Sequence, residues 1–189
     1  MQIIYRPAPA SYPVAMSETK STDAVSELCP NCGLCCNSVL FADVELRKGD
    51  DPRRLREIGF VLDKKGQGKL AFAQPCAHFD GKLCGVYSDR PKRCRTFECG
   101  LLKRVQAGEI PAGTALKLIA QARGKAEKVR VLLRQGGQSD ESLPMTRRYA
   151  EAMKAPIVLA DHEHDAELRG ELMLAVDELM HQLHRDFLQ

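Results

Sequence analysis

The sequence predicts an α+β fold that is mostly α, in which a small cysteine-rich N-terminal half with short hairpins packs on a helical C-terminal half. All eight cysteines of the 189-residue chain lie between Cys29 and Cys99. Glycine-containing turns separate short segments in that half. Beyond residue 110, apolar residues recur at helical spacing. We therefore divide the chain into a disordered segment at 1–25, a cysteine-cluster region at 26–108 and a helical region at 109–189.

The composition excludes several classes of protein. Apolar residues make up 44% of the chain, which is enough for a packed core, and the net charge is only +3. Aromatic residues amount to 5% and Trp is absent, so stacking on nucleic-acid bases is not indicated. No apolar run approaches the ~18 residues of a membrane span. Because the N-terminus does not have the pattern of a secretory signal, we expect a cytoplasmic protein.

The cysteine-rich half is predicted to contain short elements joined by tight turns. Residues 29–36 are expected to form a loop, and short helices are predicted at 43–48 and 52–58, the second capped by Asp51.

Further along this half, hairpins are predicted over 60–73 and 78–86, and the second would bring Cys76 and Cys84 together. A helix is then predicted to begin around Cys94 and Cys99 and to run to about residue 107.

Three helices are predicted in the C-terminal half, at 114–134, at 144–153 with Ser142 as its cap, and at 163–187. A brief extended link is expected at 156–160. The first helix is basic, the last begins with an acidic turn, and both have an apolar face. We therefore expect these two to pack antiparallel within one chain and to cover the cysteine loop.

The cysteine spacing favours metal ligands over disulfides. Thiols stay reduced in a chain that is not exported, and a C-x2-C turn aims two sulfurs at one ion. The predicted ligands are Cys29, Cys32, Cys35, Cys36, Cys76, Cys84, Cys94 and Cys99.

The identity of the metal stays open between zinc and an iron–sulfur cluster. The run C-x2-C-x2-C-C over 29–36 resembles the opening of the bacterial ferredoxin pattern, but the C-x3-C-P ending is missing. Cys36 departs from the regular spacing, so we expect it to join a second ligand set drawn from the four later cysteines. Two metal centres, or one multinuclear cluster, would then use all eight.

The order of these motifs resembles a known family. Four motifs carry the resemblance: the run at 29–36, Pro75-Cys76, Cys84-Gly85-Val86-Tyr87 and Arg90-Pro91-x2-Cys94-Arg95-x-Phe97-x-Cys99. Over roughly residues 28–100 they resemble the CxxCxxCC, or YkgJ-type, zinc- or iron-chelating domain. The resemblance implies chelation of zinc or iron. One branch, the flagellin lysine N-methylase, implies an iron–sulfur-dependent enzyme, but the glycine-rich strand–turn–helix for the usual methyl donor is not seen here.

Three functions remain open at this point, and whether the chain is an enzyme is undecided. They are a module with structural metal, an iron–sulfur protein in electron transfer, sensing or catalysis, and a chelator that delivers metal. Arg90, Arg93 and Arg95 are candidates to offset thiolate charge and to donate hydrogen bonds to sulfur. The segment 85–135 carries 12 basic and 4 acidic side chains and, like the C-terminal helices, is a candidate surface for a protein partner. His78 is interpreted as a non-ligand, because eight cysteines are available.

Overall fold

The computed structural model describes residues 27–154 and 163–189. The segment predicted to be disordered, 1–25, and the extended link predicted at 156–160 lie outside the described residues. The predicted fold class is confirmed, because the described residues form seven α-helices and one small antiparallel sheet.

The sheet has three strands, β1 (Asp43–Glu45), β2 (Asp63–Lys64) and β3 (Leu70–Ala73), in the order β1-β3-β2. The predicted helix at 43–48 is therefore wrong. Val44 is buried between two half-exposed carboxylates and lies opposite Phe72 of β3, so the segment follows the two-residue period of a strand. The hairpin predicted over 60–73 is confirmed, with β2 and β3 paired antiparallel.

Of the second predicted hairpin, over 78–86, only the turn and one pair of bridged residues form. The backbone forms a single bridge between Phe79 and Cys84, and the Asp80 carboxylate accepts the backbone N–H groups of Lys82 and Leu83 at 2.8 and 2.6 Å. This Asx turn holds the two ends together without a longer ladder.

Helix α1 (Leu28–Cys32) occupies the start of the segment predicted as a loop, so that prediction is wrong for Cys29 and Cys32. Gly33 ends the helix in the left-handed conformation at φ 68°, and turns follow. Helix α2 (Pro52–Glu57) is close to its prediction, and Asp51 caps it by accepting the N–H groups of Arg53 and Arg54.

The single helix predicted around Cys94 and Cys99 is also wrong, because the chain forms α3 (Lys92–Thr96) and α4 (Gly100–Gln106). Phe97 between them is extended and packs edge-on against Phe41, with ring centroids 5.0 Å apart. Packing of this aromatic side chain accompanies the break in the helical path.

The C-terminal helices are α5 (Ala112–Gln135), α6 (Met145–Lys154) and α7 (Glu163–Asp186), each close to its prediction. Helices α5 and α7 pack antiparallel within the chain, as predicted. The Gln182 side-chain amide donates to the carbonyl of Leu118 near one end of the pair, and Leu168 approaches Gly136 at the other.

The backbone N–H group at the start of α6 bonds to a different side chain from the predicted cap, Ser142. The Met145 N–H donates to the hydroxyl of Ser38, 3.2 Å away, whereas the Ser142 hydroxyl bonds to Asp140.

Two groups of buried side chains stabilise the fold. The larger core joins α5 and α7 to Leu28, Leu34 and Leu101 of the cysteine-rich half. The smaller core consists of Val44, Leu55, Phe60 and Phe72, between the sheet and α2. Among the described residues, no helix is both long and apolar enough to cross a membrane.

Candidate metal centre

All eight cysteines line one cavity of about 330 Å³. They reach it from sequence positions spread over 29–99, and the cavity walls are otherwise largely apolar, with Leu34, Phe60 and Leu101 among them. For scale, a cavity of only ~10–15 Å³ on the same measure holds one water molecule. The cavity therefore has room for metal among the sulfurs.

Helix α1 and the turn after it position the first four thiols. Cys29 and Cys32 lie one helical turn apart on α1, so their side chains share a face. The turn after Gly33, in which the Cys36 N–H donates to the Gly33 carbonyl at 2.9 Å, carries Cys35 and Cys36.

The remaining four thiols come from the segment between β3 and α4. Cys76 follows β3, and its N–H donates to the carbonyl of Cys36 at 2.8 Å. Cys84 lies in the backbone bridge with Phe79, and Cys94 lies on α3. Cys99 is the N-cap of α4, where its sulfur accepts the Leu102 N–H at 3.4 Å.

Burial makes these thiols hard to ionise. Desolvation raises the pKa of Cys32 and of Cys94 to about 12 and that of Cys36 to about 11. The pKa of Cys35 is raised well above its ordinary value for the same reason. These four thiols are therefore neutral near pH 7 in the metal-free protein. A metal ion that binds them as thiolates must displace their protons.

Two of the three candidate arginines reach the cavity. Arg90 and Arg93 line it, whereas Arg95 is exposed and is not among the lining residues. The guanidinium of Arg90 stacks 3.6 Å from the centroid of the Tyr87 ring, and its Nε donates to the Tyr87 carbonyl at 3.1 Å. This fixed cation offers positive charge to thiolates that form in the cavity.

Part of the basic segment 85–135 holds the cysteine loop in place. Arg123 of α5 donates to the carbonyl of Asn31 at 2.8 Å, and Arg130 donates to the carbonyl of Asn37 at 3.4 Å. Asn31 lies within the run of the first four cysteines, and Asn37 directly follows it. These two side chains therefore make contacts within the chain.

The lining residues other than the cysteines and the two arginines were missed from the sequence, and Gln74 and Phe187 are two of them. Gln74 is 2% exposed and lines the cavity, and its Oε1 is buried without a hydrogen-bond partner in the described structure. Phe187, from the end of the chain, is 1% exposed and lines the cavity as well. No spacing rule links either residue to the cysteines.

His78 lies outside the cavity. Its ring packs 4.5 Å from that of Phe60, and it is not among the residues that line the cavity.

The thiols surround the cavity without meeting at a point. Among the described residues, no three Cys, His, Asp or Glu side chains converge tightly enough to form a closed ligand set. A Zn–S bond is about 2.3 Å long, so the thiols must move inward when metal binds. The donor set itself fits the group, because buried sulfur ligands are those that zinc and iron–sulfur clusters prefer.

A cavity walled by cysteine thiols on short elements defines a cysteine-rich metal-binding protein. The model of the CxxCxxCC family, described as a putative zinc- or iron-chelating domain, matches residues 28–112. The resemblance seen in the sequence is thereby confirmed for residues 28–112. Comparison with curated proteins gives no significant match, and comparison with solved structures gives none either.

Proposed function

We propose that this protein holds zinc or an iron–sulfur cluster through all eight cysteines, as a closed centre that stabilises the domain. The observation that carries the proposal is that all eight thiols line one cavity. A chance scatter of cysteines over 29–99 gives no reason for all eight to line the same cavity.

A centre ligated only by thiolates suits a structural or electron-carrying role. Catalytic zinc keeps one position open for water or substrate, whereas structural zinc has four protein ligands. Eight thiols supply the full shell of two such ions, or of clusters that use the same ligands.

The size of the elements around the cavity supports a stabilising role. Helices α1 and α3 have five residues each, and the strands have two to four. Isolated elements of this length are marginal in water. The smaller core has four buried hydrophobic residues, so metal bonds between the cysteine segments would supply cross-links that apolar burial does not.

Anaerobic purification, followed by elemental analysis and a visible spectrum, tests the proposal. Stoichiometric zinc in a colourless protein would identify a zinc centre, and iron with absorbance near about 400 nm would identify a cluster. Anaerobic handling matters because zinc can replace a cluster lost to oxygen. Anaerobic protein that contains neither metal, and whose thiols all react freely, would refute the proposal.

A further inference from the structure

We propose that the eight cysteines form two adjacent four-thiol sites rather than one undivided set. The first site consists of Cys29, Cys32, Cys35 and Cys99, and the second site consists of Cys36, Cys76, Cys84 and Cys94. This inference rests on the proposed function, since it divides the ligands of the same metal centre.

The packing of the cysteines against the two cores separates the sites. Cys32 and Cys99 pack against the larger core, formed around α5 and α7. Cys76 and Cys94 pack against the smaller core, between the sheet and α2. Each site is thus anchored to a different part of the hydrophobic interior.

Backbone geometry ties together three members of the second site. The Cys76 N–H donates to the Cys36 carbonyl at 2.8 Å, and the Phe79 N–H donates to the Cys76 carbonyl at 3.0 Å. Phe79 in turn pairs with Cys84 in the backbone bridge.

In the first site, Cys29 and Cys32 share one face of α1. Their helix packs on α5, which also contacts α4, the helix that Cys99 caps.

The electrostatic neighbours of Cys32 and of Cys94 fall within the same two groups. After desolvation, the pKa of Cys32 is raised by Cys99 and Cys29, which belong to its own site. The pKa of Cys94, again after desolvation, is raised by Cys36, Cys76 and Cys84.

The two sites touch through adjacent residues. Cys35 and Cys36 are consecutive, so their Cα atoms lie ~3.8 Å apart. The Cys36 thiol raises the pKa of Cys35, and Cys29 of the first site raises the pKa of Cys36. Arg90 also acts on both sites, because its charge lowers the pKa of Cys29 as well as those of Cys36 and Cys94.

The binding step balances in protons and charge. When one Zn²⁺ binds four neutral thiols, four protons leave and a tetrathiolate of about −2 remains. Two such sites carry about −4 between them, which the guanidinium groups of Arg90 and Arg93 partly offset.

Double variants of the full chain, loaded with Zn²⁺ under reducing conditions, test the division. Cys32→Ser/Cys99→Ser removes two ligands from the first site, and Cys32→Ser/Cys94→Ser removes one from each. We expect the first variant to retain half of the wild-type zinc and the second to lose nearly all of it. Equal zinc loss in the two variants would overturn the division.

A measurement on the unmodified chain keeps the test independent of folding defects. Wild-type protein is loaded with half its full amount of Zn²⁺ and alkylated, and the protected cysteines are located by mass spectrometry. Protection that falls within one of the two proposed groups of four supports the division, and protection that mixes the groups refutes it. Failure of the wild-type chain to bind any zinc or iron would instead refute the proposed function.

Discussion

Gly33 shows how a single residue shapes the metal-binding loop. It ends α1 with φ at +68°, and a Cβ atom at this position would lie 2.5 Å from the ring of Phe79. Both the positive φ angle and the close approach of the Phe79 ring therefore require glycine here. The residue brings the turn with Cys35 and Cys36 back against the segment that contains Cys76.

We predict that Gly33→Ala destabilises the fold and lowers metal occupancy. The left-handed conformation costs a residue with a Cβ about 1–2 kcal/mol, and the contact with Phe79 adds to that cost. Urea unfolding together with zinc or iron analysis would measure both effects. Gly124→Ala is the matched control, because nothing lies within 4 Å of its Cβ position on α5, and there we expect a small gain in stability.

The buried thiols predict how stability depends on pH in the metal-free protein. The pKa of Cys32 is raised to about 12 and that of Cys36 to about 11, whereas an unfolded thiol titrates near about 8.5. Because the pKa is higher in the folded state, the stabilising contribution is complete below about pH 8.5 and is lost as the pH rises toward those values.

Urea unfolding of the metal-free, reduced protein at about pH 7 and about pH 10 would measure this loss. We expect a lower free energy of unfolding at the higher pH, and a smaller change for the metal-loaded protein, whose thiols are already deprotonated. A metal-free protein that is equally stable at both values would contradict the burial of neutral thiols.

The cysteines and the two arginines that line the cavity could be singled out from the sequence, but the other lining residues could not. Cysteine spacing carries chemical meaning over short stretches, so the ligand candidates were apparent from the sequence. Gln74 and Phe187 are 113 positions apart in the numbering of the chain, and only the tertiary fold brings them to the same cavity.

Helix α5 connects the helical half to the cysteine loop at the scale of secondary structure. Its residues Arg123 and Arg130 donate hydrogen bonds to the carbonyls of Asn31 and Asn37. Its apolar face meanwhile packs against Leu28 and Leu34 in the larger core. The helix therefore supports the loop through both apolar and polar contacts.

We predict that Arg123→Met loosens this loop and weakens metal binding severalfold. The lost hydrogen bond involves a charged donor but is exposed, so its contribution is about 1 kcal/mol. Competition with a chromogenic chelator would measure the change in affinity. Lys128→Met removes an exposed cation from the same helix and should leave the affinity unchanged; an equal loss in both variants would indicate a general effect of charge.

Long helices were predicted well, whereas short elements were predicted poorly. Helices α5 and α7 have 24 residues each, so their apolar periodicity repeats over several turns. The three residues of β1 do not establish a period, and pairing with β3 determines their conformation. In the same way, the break between α3 and α4 coincides with a contact between Phe97 and the distant Phe41.

The segment after α7 forms part of the cavity wall. Phe187 follows α7, is 1% exposed and lines the cavity. Its carbonyl accepts the N–H of Gly100 at 2.9 Å, at the first residue of α4 and directly after Cys99. The C-terminal segment thus contributes to the cavity that the eight cysteines line.

We predict that Phe187→Ala destabilises the protein and makes its metal easier to remove. Truncation of a buried Phe costs about 3–5 kcal/mol, and the space left beside the cavity would admit water. Thermal unfolding and the rate of metal loss to a chelator would report the two effects. Leu188→Ala is the control, because Leu188 is 42% exposed, and a similar metal-loss rate in both variants would contradict a closing role for Phe187.

The central claim is that all eight thiols bind metal in one cavity, and alkylation of the native metal-loaded protein tests it most directly. Intact-mass analysis would count alkylated cysteines, and elemental analysis of the same sample would measure the metal that remains. We predict no alkylation while the full metal complement is bound, and eight alkylated cysteines after chelation and unfolding. A protein that keeps all of its metal with any of these cysteines alkylated would contradict the claim.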